Sequence, residues 1–204
     1  PGADRIMLGP GVHGLSLTGA DEDAGVSGDL DITAALEIVG AGRDATVIAW
    51  DDVPDDRLLD VAVGAALELS QVTLRLGSSS GRGGLIRVDG TATLRDCRLR
   101  EGSAASGGAV GVGPGGSLTV ESCEIADNLG DGGAIALAMR ATLQLSASQL
   151  HHNRSRAQGG GAILGHFAEL QVDTSEIADN TTDDSRWGGR GLLVVGGTLV
   201  LRRS

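Results

Sequence analysis

Aromatic side chains are almost missing from this chain: Trp50, Trp187 and Phe167 are the whole set, and there is no tyrosine. A core without rings must be filled by Leu, Val, Ile and Ala, which suit thin, repetitive layers. The scarcity also argues against a carbohydrate cleft of the usual kind, where rings serve as platforms for sugars. Lysine is absent, so all 16 basic residues are arginine, and 27 acidic residues leave a net charge of −11. That balance disfavours nucleic acid and anionic membrane as partners. No apolar run approaches the roughly 18 residues of a membrane span, so no membrane insertion by this segment is expected. No signal peptide is visible. Two cysteines are too few for a disulfide framework.

Glycine is plentiful, at 34 of 204 residues, but shows no Gly-X-Y period, which excludes collagen. A hydrophobic content of 41% argues against disorder. One short phrase recurs six times. It reads Leu67-x-Leu69-x-x-Val72-x-Leu74, then Ala92-x-Leu94-x-x-Cys97-x-Leu99, then Leu118-x-Val120-x-x-Cys123-x-Ile125. Leu143-x-Leu145-x-x-Ser148-x-Leu150 and Leu170-x-Val172-x-x-Ser175-x-Ile177 follow, and Leu199-x-Leu201-x-x-Ser204 is cut short. The copies start 25, 26, 25, 27 and 29 residues apart. A drifting period of this size with alternation inside each copy marks one unit stacked along an axis.

Alternation predicts half-buried strands, and the two-residue spacer resets the phase, so each copy supplies two short strands meeting at a bend. A third strand follows a glycine pair: Gly83-Gly84, Gly107-Gly108, Gly132-Gly133, Gly160-Gly161 and Gly188-Gly189. Asn128, Asn153 and Asn180 recur at one offset and predict a stacked asparagine ladder at a corner. Cys97 and Cys123 share one repeat position, continued by Ser148, Ser175 and Ser204. Stacking at the ~4.8 Å strand spacing leaves two readings open, a ladder of buried small residues or a disulfide. Arg95 with Glu121 and Arg98 with Glu124 fall one copy apart, as cross-strand pairs that favour the register.

These features predict an all-β, single-stranded, right-handed parallel β-helix of about seven to eight rungs of roughly 25–29 residues. It would form one domain over 1–204, with irregular rungs over 1–60 and regular ones over 61–204. One rung buries too little to offset its own ordering, so neighbours are obligatory. The chain opens at Pro1 and closes inside a repeat. The expectation is therefore part of a longer chain, or a last rung capped by another copy or a partner.

Gly28-Asp29-Leu30-Asp31-Ile32-Thr33, Leu36-x-Ile38-x-Gly40-Ala41-Gly42, Thr46-Val47-Ile48 and the later GGAI rungs resemble bacterial secreted or surface right-handed β-helix proteins. These are related in pattern to autotransporter passengers and polymorphic outer-membrane proteins. The resemblance spans essentially the whole chain. It implies an extracellular or cell-surface location and a scaffold or adhesin-like role, presenting corner loops to a protein or glycan partner.

Many parallel β-helices, the pectin-lyase-like ones among them, cleave polysaccharides, so a carbohydrate-active enzyme with carboxylates converging in a groove is the alternative. A purely structural spacer is another. Against an enzyme, Gly165-His166-Phe167 stands where a galacturonan hydrolase has Gly-His-Gly. The outward positions of the glycine-led strand, Arg87, Gly111, Ala136, Leu164 and Leu193, also carry no carboxylate. No catalytic residue is therefore assigned. Acidic clusters at Asp21-Glu22-Asp23, Asp29, Asp31, Asp51-Asp52 and Asp55-Asp56 have the donor type for Ca²⁺ but match no Ca²⁺ loop, and read as solvated loops. His151 and His152, adjacent on a strand, should point to opposite faces and chelate poorly; no Cys/His zinc spacing exists. The corner after the asparagine grows along the chain. It gathers His152, Arg154, Arg156, Asp183, Asp184, Arg186 and Trp187 into a charged rim, the best candidate for partner contact. The apolar strip Ala136, Leu164 and Leu193 is a second candidate.

Overall fold

A computed structural model describes residues 3–17, 19, 27–51, 54, 56–157, 159–183 and 189–203. Among the described residues all regular structure is β-strand, and every strand pairing is parallel. The turn over residues 86–106 shows the plan. Ile86–Val88, Thr91–Arg95, Arg98–Arg100 and Ser103–Ser106 follow one another around the axis. Each lies beside its equivalent one turn on: Ile86 against Val110, Thr91 against Ser117, Arg98 against Glu124, Ser103 against Leu129. The columns form sheets of 13, 7 and 5 strands; the first two columns join into the largest sheet because Ile163–Asp173 and Leu192–Arg202 each run through both. The chain is thus a parallel β-helix of about six turns rather than seven to eight, the first and last copies supplying partial turns.

Each regular turn has four strands, not three. The fourth, represented by Ser103–Ser106, Leu129–Asp131 and Arg154–Ser155, is short and polar. It has no apolar alternation to announce it, and its pairing comes from position alone: a backbone held one turn away from an equivalent backbone satisfies its N–H and C=O groups there.

Inward residues form stacked rows. In the turn from Ala134, the side chains of Ile135, Leu137, Leu143, Leu145 and Leu150 are all at most 2% exposed. Fully burying such a side chain contributes about 1.5–3 kcal/mol. Two corners turn on one left-handed residue per copy. Gln71, Asp96, Ser122, Ala147 and Thr174 have φ of 49° to 59°, and Leu76, Glu101, Asp127, His152 and Asp179 have φ of 53° to 60°. Such a backbone costs a non-glycine residue roughly 1–2 kcal/mol, so the stack must hold it in place. The glycine-led corner is tighter still. Gly133 has φ 62°, and a Cβ there would collide with the Gly161 carbonyl oxygen.

Side-chain ladders run just inside these corners. Asn128 donates from Nδ2 to the Leu99 carbonyl at 3.1 Å, and Asn153 and Asn180 repeat this to Ile125 and Leu150 at 2.9 and 2.8 Å. Their Oδ1 atoms accept from the amides of Gly102, Asn128 and Asn153 at 2.9, 3.1 and 3.0 Å. Gly102 thus occupies the asparagine position one copy earlier. In the neighbouring ladder the amides of Cys97, Cys123 and Ser148 donate to Cys123 Sγ, Ser148 Oγ and Ser175 Oγ at 3.4, 3.0 and 3.2 Å. Both cysteines are free thiols. Each sulfur points towards the preceding turn, Cys123 Sγ to the Cys97 amide and Cys97 Sγ to the Leu69 carbonyl, so the two are translated copies rather than facing partners. Ser204 lies outside the described residues.

The segment 40–45 folds lengthwise over the first corner. The Arg43 carbonyl accepts from Thr73 Oγ1 at 2.7 Å, and its guanidinium reaches Asp96 at 3.5 Å and the Ser122 carbonyl at 3.3 Å. Asp44 pairs with Arg98 at 2.8 Å. One short strap therefore ties together three successive turns. The Arg98–Glu124 and Arg95–Glu121 pairs form at 2.8 and 3.4 Å, and Arg95 also reaches Glu68 at 3.3 Å.

The two ends of the described stack differ. The inward rows that hold Leu36 and Ile48 carry Asp4 and His13 in the first turn. At the other end a cavity of about 410 Å³ opens between Val172, Ile177, Leu192, Leu199 and Leu201.

Candidate functional site

The glycine-led column carries a recessed surface along its outward row. Its outward row runs Asp31, Asp60, Arg87, Gly111, Ala136, Leu164 and Leu193. The absence of carboxylates expected there is corrected by the register, because the irregular early turns place Asp31 and Asp60 in the row. The preceding corner of each turn leans over this row. A Cβ on Gly111 would meet Arg82 Cβ at 2.7 Å, and one on Gly132 would meet Leu164 Cβ at 2.5 Å. Between that corner and the turn on the other side lies a groove of about 360 Å³. Ala136 and Leu164 form its floor, Arg82, Ser106 and Asp131 one wall, and Met139 and His166 the other. The apolar strip Ala136 and Leu164 is therefore a groove floor, 7% and 3% exposed, rather than a flat surface.

Towards the early turns the groove gives way to a chain of charges. Arg82 pairs with Asp89 at 2.9 Å, Arg87 with Asp89 at 3.4 Å and Arg87 with Asp60 at 2.6 Å. Asp60 pairs with Arg57 at 3.4 Å, and Arg57 with Asp29 at 3.1 Å and Asp56 at 3.6 Å. Ser79 accepts from Arg57 at 3.0 Å. Gly113 makes room for this chain, since a Cβ there would fall on Asp89 Oδ1.

Three carboxylates thus converge on one guanidinium, and all four side chains are at most 2% exposed. The expectation of solvated loops is corrected for Asp29 and Asp56, whose charges have a buried partner that the sequence spacing did not expose. Burial pushes the Asp29 carboxyl up to about 7, with the nearby Asp56 charge adding to the rise. Burial raises Asp60 as well, against the opposing pull of Arg87 and Arg57. Asp29 Oδ1 and Asp60 Oδ1 are buried with no hydrogen-bond partner among the described residues. This is a locked electrostatic core, not an open set of acids.

The expected rim is only partly assembled. Arg154 makes a two-pronged pair with Asp183 at 2.8 and 3.0 Å, on the face of the fourth column. Arg156 turns the other way along the axis, to Ser103 Oγ at 2.9 Å and the Ala104 carbonyl at 3.3 Å. His152 is a corner residue whose ring meets His151, so their predicted opposite orientation is corrected: the left-handed backbone at His152, φ 55°, folds its ring back. Asp184, Arg186 and Trp187 lie outside the described residues, as do Asp21, Glu22, Asp23, Asp52 and Asp55. Among the described residues no three His, Cys, Asp or Glu are grouped to hold a metal ion, and no helix is long and apolar enough to cross a membrane.

The contact with Cys123, and burial after it, keep the Cys97 thiol protonated, its acidity pushed well below that of an ordinary thiol. The sequence did not point to Arg82, Asp89, Asp131 or Met139. Arg82 and Asp131 end strands of the fourth column, each just before a glycine pair, and Asp89 and Met139 lie in the turns after the glycine-led strands; only the two glycine pairs hinted that backbone passes close by. Comparison with models of known families, with curated proteins and with solved structures finds no match.

Proposed function

We propose that this chain is a non-enzymatic scaffold, an adhesin-like module of a secreted or surface protein of a bacterium. It presents the groove over Ala136 and Leu164, flanked by the Arg154–Asp183 rim, to a protein or glycan partner. The observation that supports this reading best is the fate of the carboxylates. The three that converge are sealed against Arg57, out of reach of a substrate, while the open groove has an apolar floor and polar walls suited to holding a chain by contact. Arg154 and Arg156 are each held by partners, so these two side chains are positioned before any partner arrives, which lowers the cost of binding.

A second reading, a carbohydrate-active enzyme, draws support from Asp131 and His166 on the groove walls, residue types that serve acid–base chemistry. One pair of measurements separates the two. Binding is screened on immobilised glycans and surface proteins, and turnover on acidic polysaccharides. The scaffold reading expects a binder that the groove-filling Ala136→Arg variant loses, with no new chain ends released. Release of chain ends that Asp131→Asn abolishes would establish the enzyme instead. Silence of every groove and rim variant towards a proven ligand would leave only a spacer.

A further inference from the structure

We infer that the adjacent imidazoles of His151 and His152 form a chelating site for a divalent transition-metal ion such as Cu²⁺, Ni²⁺ or Zn²⁺. The two Nδ1 atoms stand 2.8 Å apart, with the rings nearly perpendicular at 88°. Two nitrogens bound to one ion at about 2.0–2.1 Å are separated by roughly 3 Å, so the pair is already spaced as a bite. Neighbouring residues on a straight strand could not do this. The left-handed corner at His152 does it by reversing the second ring.

His151 Nε2 faces Glu124 Oε1 at 3.5 Å. Glu124 is fixed by Arg98 at 2.8 Å, and Arg98 in turn by Asp44 at 2.8 Å. A carboxylate facing Nε2 favours the ring proton there and leaves the lone pair on Nδ1, the carboxylate–histidine arrangement that orients metal ligands. With that tautomer at His151, the 2.8 Å contact has the His152 Nδ1–H donating to the lone pair while no ion is bound. When an ion binds, the His152 proton passes through solvent to its own Nε2, and both Nδ1 lone pairs turn to the metal with no net proton lost.

The surroundings suit a cation. A cavity of about 140 Å³ beside the two rings is lined by Gln149, Glu176 and Asp179. Asp127 and Asp179 occupy the corner position of His152 one turn to either side. Two imidazoles with water in the remaining positions favour Cu²⁺, Ni²⁺ or Zn²⁺ over Ca²⁺, which takes oxygen ligands. The open positions can also accept a donor from a partner.

Calorimetric titration of the whole chain with Zn²⁺ and Ni²⁺ should show one ion per chain. Electron paramagnetic resonance with Cu²⁺ should show two imidazole nitrogens. His151→Gln and His152→Asn should each weaken binding by ~10-fold or more. Asparagine tolerates the left-handed corner, so the second variant keeps the fold. Glu124→Gln should weaken it by roughly 10-fold through loss of orientation, and His13→Gln should leave it unchanged. No binding at millimolar ion, a Cu²⁺ spectrum without two imidazoles, or binding that survives both histidine variants would overturn the assignment.

Discussion

Individual side chains here do two kinds of work, and each can be tested singly. Asn153 accepts from the Asn128 amide and donates to the Ile125 carbonyl and to Asn180 Oδ1. Asn153→Ala strands these groups inside the stack, and each orphaned group costs about 1–3 kcal/mol. The expected loss is about 3 kcal/mol, read from urea denaturation, and a loss below ~1 kcal/mol would show the ladder to be incidental. Asp29 acts in the opposite sense. Its folded value, about 7, lies above its ordinary value of 3.8. The stability it contributes is therefore complete below about pH 4 and is lost as pH rises towards 7. Asn at position 29 mimics the protonated acid facing Arg57, Asp56 and Asp60. Asp29→Asn should flatten the difference in stability between pH 5 and pH 8, measured by the same denaturation; an unchanged slope would remove Asp29 as its source.

At the scale of strands and corners, the left-handed columns are where the stack bears strain. Ala147, exposed at φ 49°, has neither a side-chain bond nor glycine's freedom to ease it. Ala147→Gly relieves that strain at some cost in unfolded-chain entropy, for a net gain of about 0.5–1 kcal/mol, seen as a raised melting temperature. A fall instead would mean that the corner is not strained. These elements also show which parts of the sequence are legible. Strands such as Thr91–Arg95 and Thr142–Ser146 bury alternate residues in one sheet, so their period is written in the residues. The fourth strand is defined by a neighbour 25 or so residues away and leaves no local trace. The asparagine ladder was legible because three asparagines share an offset, whereas Gly102 in the same row was not. Arg57 could not be connected with Asp29 from the sequence, because their 28-residue separation becomes meaningful only once the early turns have a register. The histidine pair escaped for a similar reason: the bend that joins the rings is a backbone state, not a residue type.

For the whole molecule, equivalence of successive turns makes a demanding prediction. Removing residues 123–147 joins Ser122 to Ser148, and the Cys97 amide should then find Ser148 Oγ while the Gly102 amide finds Asn153 Oδ1. The shortened chain should keep its β-type circular dichroism and melt in one cooperative step, at a lower temperature; aggregation or loss of the signal would mean that the turns are not interchangeable. The same equivalence has a mechanical side. Successive turns are held together by parallel ladders, while the covalent chain runs around the axis. Tension on the two termini therefore loads one turn at a time and peels it from an end, and the 40–45 strap must release before the turns beneath it can go. Each peeled turn of about 25 residues frees roughly 90 Å of chain. Pulled at constant speed, the protein should give out like a tape from a reel, in near-equal increments, with one delayed rupture where the strap lets go.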